Sequence, residues 1–225
     1  MIFPVGDDQV QGGHKPLFAY GFLLLNILVF FYEISLGFGS QAFVTEYGAL
    51  PGEITAGQDY FTLFTSMFLH GGWMHLIGNM FFLWVFADNI EATIGSVPFV
   101  LFYLIGGLAA HAAHIYSDPA SMIPTVGASG AISAVLGAYI VMFPTSRIKI
   151  LVFLFYSTYL SAFIFLGLWI VMQVFSGFSA MSEVPSDGGG TAWWAHIGGF
   201  AFGIVAGILF RKMYHPVRLS AAEVA

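Results

Sequence analysis

The chain has 225 residues, of which 58% are hydrophobic and only 8% charged, and its net charge is −6. Its mean hydropathy is +0.85, against a soluble norm of about 25% charged residues, so the composition excludes an ordinary soluble domain and points to the lipid bilayer as surroundings. Six Lys and Arg in all exclude the basic face that nucleic acid needs, and the lack of Cys excludes disulfides, thiolate nucleophiles and Cys-ligated metals.

Residues 1–16 carry Asp7, Asp8 and one Lys, which is not the pattern of a cleavable signal, and the apolar run that follows is longer than a signal core of about 7 to 15 residues. A bilayer core about 30 Å thick needs roughly 20 helical residues. Six runs approach that size: 17–36, 73–94, 98–115, 126–143, 148–175 and 193–210. These runs are continuous rather than alternating, which favours helices over transmembrane strands. The expected fold is therefore an all-α membrane protein, a bundle of six transmembrane helices. It is expected to have a short cytoplasmic segment at 1–16, one six-span domain at 17–212 and a cytoplasmic tail at 213–225.

Between the first two runs lies a long segment, 37–72, expected to be a structured loop that dips partly into the membrane. Residues 176–192, with "SDGGG", read as a flexible cap. Lys15, Arg147, Lys149, Arg211, Lys212 and Arg218 all fall on one side of a six-span arrangement. By the positive-inside rule both termini are cytoplasmic. The opposite loops hold Glu46, Glu53, Asp59, Asp118, Glu183 and Asp187.

Spans two, four and six enter from the outer side and carry polar residues in their first turns: His75 and Asn79, Ser129, and His196. Polar groups at such depth are costly unless they pair or line water, so they mark a site facing the bundle interior. Taken singly, Gly-x-Ser-Gly is more often a packing motif, His196 could be a satisfied core histidine and Asn79 an interhelical tie. Together they read differently. His196, Gly199, Gly203 and Gly207 form one stripe, and Ser129, Ser133 and Gly137 another. Two such smooth faces can approach until the Ser129 hydroxyl meets the His196 imidazole. That is the geometry of a serine nucleophile and its general base. With no acid placed beside them, a dyad is expected. Asn79, His75 and the Ser129 amide are the candidate donors to a developing oxyanion, and the pattern calls for no metal or cofactor.

The motifs "HLIGN" (His75, Asn79), "GASG" (Gly127, Ser129, Gly130) and "AHIGGFAFG" (His196, Gly199, Gly203) resemble those of the rhomboid family of intramembrane serine proteases, in order and on matching spans. His70 and "EATIG" (Glu91, Gly95) are weaker matches. The resemblance implies cleavage of peptide bonds in or beside transmembrane segments of membrane-protein substrates, with Ser129 as nucleophile, His196 as base, and His75 and Asn79 around the oxyanion. It also implies lateral substrate access near spans two and five, beneath a cap at 176–192. Two departures stand out. Ser133 occupies the position one turn after the nucleophile where some relatives carry an aromatic residue that packs on the histidine, so the ring needs other support, with Trp193 or Trp194 as candidates. The Trp-Arg pair that many relatives carry in the first outer loop is also missing. A catalytically silent relative that binds membrane proteins would lack Ser or His, and a transporter would place its polar groups near the midplane. A six-span core of this kind fits a prokaryotic plasma membrane, with the site open to the outer side. Oligomeric state is left open, since glycine stripes serve a dimer as well as a fold.

Overall fold

A computed structural model describes residues 2–10, 13–37, 41–152, 155–180, 191–214 and 219–220. In chain order the elements are strands β1 (Ile2–Asp7) and β2 (Gln9–Val10), helix α1 (Leu17–Ser35), three short helices α2 (Gln41–Tyr47), α3 (Pro51–Thr55) and α4 (Thr62–Thr65), then α5 (Trp73–Ile94), α6 (Ser96–Ser117) and α7 (Ser129–Met142). Strands β3 (Arg147–Val152) and β4 (Tyr156–Ser161) follow, then α8 (Ala162–Ala180), α9 (Trp193–Met213) and β5 (Leu219–Ser220). Four helices, α1, α6, α8 and α9, are long and apolar enough to cross a membrane. Helix α5 is as long but ends in Asp88, Asn89 and Glu91. Helix α7 is apolar but has only 14 residues, about 21 Å at 1.5 Å per residue, shorter than a bilayer core of about 30 Å.

Local chemistry sets the helix ends. Helix α1 follows Pro16, and its orphan amides are satisfied from a distance: the buried Glu91 carboxylate accepts from Phe18 N (3.1 Å) and Ala19 N (2.6 Å), a negative charge at the positive end of a helix. Helix α5 stops at Gly95, whose φ of +87° suits glycine, and α6 starts at once with Pro98 in its first turn. The segment between α1 and α5 is structured by α2, α3 and α4 and a 3₁₀ turn at Ser66–Phe68.

Helix α7 is the centre of the bundle, with every residue from Ala131 to Tyr139 buried. Its partner is α9. A Cβ on Gly137 would overlap the Phe200 carbonyl, one on Gly203 the Ala134 carbonyl, and one on Gly207 would sit 2.9 Å from Ala138 Cα. Small residues thus bring the two backbones into direct contact.

Three expectations are corrected. The protein is mostly helical rather than all-α: β1, β3 and β4 form an antiparallel sheet in the order β1-β3-β4, and β2 pairs with β5. The run 148–175 is not one helix, because 148–152 and 156–161 lie on the paired strands β3 and β4 and the helix begins at Ala162. Along β3 exposure alternates, with Arg147 exposed, Ile148 buried, Lys149 half-buried and Ile150 buried, which is the period of a strand. Helix α8 runs on to Ala180, so 176–180 are helical rather than part of a cap; 181–190 lie outside the described residues, as does Arg218. The sheet sits at the C-terminal ends of α5 and α7. There Asn89 Nδ2 donates to Asp7 (2.7 Å) and to the Asp8 carbonyl (2.8 Å), Tyr139 meets Asp7, and Asp8 pairs with Arg147 (3.0 Å). The N-terminal segment is therefore built into the body of the fold.

Candidate active site

Ser129 is the first residue of α7, and the turn before it explains its exposure. Gly127 has φ +123° and lies where a Cβ would come within 2.6 Å of His75 Nε2, so only glycine fits. Its amide donates to the Ser66 carbonyl (2.8 Å), while Thr125 and Ala49 exchange two backbone hydrogen bonds (2.8 and 3.0 Å). These ties hold the approach to α7 so that Ser129 opens onto a cavity of about 1300 Å³. Gly130 turns toward α6, where its Cβ would meet Ala110 Cβ at 2.7 Å, and a Cβ on Gly199 would overlap the Gly130 carbonyl. The contact of α9 with α7 therefore continues up to the first turn of α7 and the second turn of α9.

There the His196 Nε2 lies 2.9 Å from Ser129 Oγ, within the reach a nucleophile and base require. His196 is buried, and its other nitrogen, Nδ1, lies 2.7 Å from Gln173 Oε1 on α8. The Trp169 ring, one turn before Gln173, is 5.8 Å from the imidazole, and Trp193 stands edge-on at 6.2 Å. The support of the ring is thus Gln173 and Trp169, with Trp193 at the side; Trp194 packs on Phe178 instead. Ser133 donates to the Ser129 carbonyl (2.6 Å).

His75 and Asn79 line the same cavity from α5. Asn79 Nδ2 lies 3.0 Å from His70 Nε2, and the His70 amide donates to the Glu33 carboxylate of α1 at 3.2 and 3.3 Å. Burial, followed by the neighbouring His75, pushes His70, in the loop before α5, down to about 3. A neutral His70 can accept one Asn79 N–H, which leaves the amide's second N–H to point elsewhere.

Sequence reasoning missed Gln173, Trp169 and Glu33, and gave His70 little weight. Gln173 carries a readable signal, because it is the one amide in a helix that is apolar from Ala162 up to it. Among the described residues, no group of three or more His, Asp or Glu could hold a metal.

Comparison with known proteins agrees with this architecture. The family model described as Rhomboid domain matches residues 57–213. The chain is 35% identical over 134 residues to Rhomboid protease GluP of Bacillus subtilis, covering 59% of this chain and 26% of that protein. It is 29% identical over 169 residues to RHOMBOID-like protein 5 of Arabidopsis thaliana (74% and 50%) and 25% identical over 176 residues to the mitochondrial Rhomboid protein 1 of Saccharomyces cerevisiae (75% and 48%). The chain thus spans half or less of the length of these relatives. A matched domain covering most of the sequence, and helices apolar enough to cross a bilayer, establish that this integral membrane protein belongs to the rhomboid family.

Proposed function

We propose that the chain is an intramembrane serine endopeptidase that cleaves peptide bonds in or next to transmembrane segments of other membrane proteins. The observation that carries this reading is the 2.9 Å approach of His196 Nε2 to Ser129 Oγ at the edge of an open cavity. Ser129 Oγ attacks the substrate carbonyl carbon while His196 Nε2 takes its proton. The carbonyl oxygen becomes an oxyanion that the Ser129 amide, His75 and the free N–H of Asn79 stabilise, aided by the positive end of α7. The C–N bond then breaks and the imidazolium returns the proton to the leaving amine. Water entering through the cavity, deprotonated by His196, hydrolyses the acyl-enzyme and frees Ser129.

In this reading α1, α5, α6, α7, α8 and α9 are six spans forming one catalytic unit over 17–212. The described basic residues support the orientation: Lys15 precedes α1, Arg147 and Lys149 lie on β3, and Arg211 and Lys212 end α9, all at the end remote from Ser129. That end faces the cytoplasm, and the cavity opens outward. Substrate helices approach between α5 and α8, where Phe82 and Phe86 meet Phe165 and Trp169 through ring contacts of 6.2 to 6.4 Å. The test is incubation of purified protein in liposomes with a panel of single-span substrates, wild type beside Ser129→Ala. Cleavage confined to the wild type supports the reading; equal cleavage by Ser129→Ala overturns it in favour of a binding or transport role.

A further inference from the structure

Ser129 and His196 sit on α7 and α9, whose backbones touch, but the group that meets the far side of the imidazole comes from a third helix. Gln173 of α8 is buried, and its Oε1 lies 2.7 Å from His196 Nδ1. The contact has consequences for the proton. A neutral imidazole carries one N–H, and only the nitrogen without it can accept the Ser129 proton. With Gln173 Oε1 as acceptor, the proton is held on Nδ1 and Nε2 is left with its lone pair aimed at Ser129 Oγ. The opposite amide orientation would put N–H against Nδ1, force the proton to Nε2 and leave the serine without a base. The assignment follows the network rather than the amide atoms alone, and only one of the two networks is productive.

We propose that Gln173 is a positioning residue that converts the Ser129–His196 pair into a Ser-His-Gln relay, fixing the imidazole tautomer and holding the ring as it becomes charged. This rests on the protease reading above. The neutral amide does here what an acid does in a Ser-His-Asp triad, without burying a charge among apolar helices. Trp169, one turn away on the same helix, lies tilted beside the ring at 5.8 Å, so α8 delivers both the hydrogen bond and this ring contact to His196. The dyad is therefore complete only while α8 is packed on α9. The proton balance of each catalytic step is unchanged: His196 Nε2 takes and returns the proton, and Nδ1–H stays bonded to Gln173 throughout.

The test compares two substitutions of similar size in the full chain in liposomes. Gln173→Met keeps the volume and removes the acceptor; Gln173→Glu keeps an acceptor oxygen in either protonation state. Loss of a buried hydrogen bond of this kind corresponds to a fall of roughly 10- to 100-fold in kcat for Gln173→Met, with KM and melting temperature close to wild type. Gln173→Glu should stay within a few-fold of wild type, and the acid limb of its pH–rate profile should move to higher pH because a carboxylate favours the imidazolium. ¹⁵N spectra of histidine-labelled protein should place the proton on Nδ1 of His196 in the wild type. Equal losses in both variants would assign Gln173 to packing, and a wild-type rate in Gln173→Met would also overturn the relay. Either result, obtained with cleavage that still depends on Ser129, leaves the protease reading intact; cleavage independent of Ser129 overturns both.

Discussion

Gly199 on α9 lies against the backbone carbonyl of Gly130 on α7, so closely that a single added Cβ would overlap it, with Ser133 Cβ a further 3.2 Å neighbour. Backbone cannot give way as a flexible side chain can. Gly199→Val should therefore push the helices apart at the level of Ser129 and His196, lower the melting temperature by an amount equivalent to about 1 to 3 kcal/mol, and reduce cleavage. Gly167 on α8 has nothing within 4 Å of its Cβ position and is the control: Gly167→Ala should be neutral or stabilising, since alanine is the better helix former. Equal behaviour of the two variants in thermal melts would mean that the α7–α9 contact does not set the site.

The serine reading predicts a chemical signature as well as a rate. A fluorophosphonate probe should label the folded protein at Ser129, because the attacking hydroxyl needs His196 as base, and neither His196→Ala nor heat-denatured protein should react. Each of Ser129→Ala and His196→Ala should abolish cleavage while melting near the wild type. Labelling that persists in His196→Ala at the wild-type rate would remove the histidine from the mechanism.

Much of this site is legible in the sequence because depth in a membrane can be counted. Ser129 and His196 each stand within the first four residues of their helices, and the glycine stripes that let α7 and α9 meet are periodic. What is not legible depends on tertiary partners with no periodic mark. Gln173 is one amide in an apolar helix, and only the folded chain brings it to His196, 23 positions away. The Glu33 carboxylate reaches the His70 amide across 37 positions, and nothing local announces it. The strand pair β3–β4 is hidden for another reason. Its strands are apolar enough to merge with α8 when summed, and only the alternation of Arg147, Ile148, Lys149 and Ile150 separates them.

The sheet end of the protein carries a pH dependence of its own. Burial, reinforced by the charge of Asp88, pushes the Asp7 carboxyl up to about 8 against the opposing hydrogen bonds of Tyr139, Asn89 and Gln9. A carboxyl whose folded pKa lies above its unfolded value binds its proton more tightly when folded. Its stabilisation is complete below the unfolded pKa near 4 and is lost as pH rises toward about 8,. The melting temperature of the wild type should fall across that window. Asp7→Asn keeps the shape and removes the titration, so its melting temperature should vary less with pH there. Parallel curves for the two proteins would show that Asp7 does not carry the effect.

Asn79 distinguishes transition-state stabilisation from structure. One of its N–H groups is engaged by His70 Nε2 at 3.0 Å, which is the behaviour of a helix-to-loop tie; the other is available to the oxyanion that forms when Ser129 attacks. The two roles predict different losses in Asn79→Ala. A donor acting mainly in the transition state should lower kcat by roughly 10² to 10³, or about 2.7 to 4 kcal/mol, with KM little changed. A structural hydrogen bond in a membrane protein should cost on the order of 0.6 to 2 kcal/mol of stability. Because His70 is itself held by Glu33, Glu33→Gln supplies the internal comparison: it weakens the support of His70 without touching the amide. If Asn79 is an oxyanion donor, Asn79→Ala should lose far more single-turnover rate than Glu33→Gln at a similar melting temperature. If Asn79→Ala instead melts several degrees lower yet cleaves near the wild-type rate, the amide belongs to the Glu33–His70 framework, and the oxyanion must be met by His75 and the Ser129 amide.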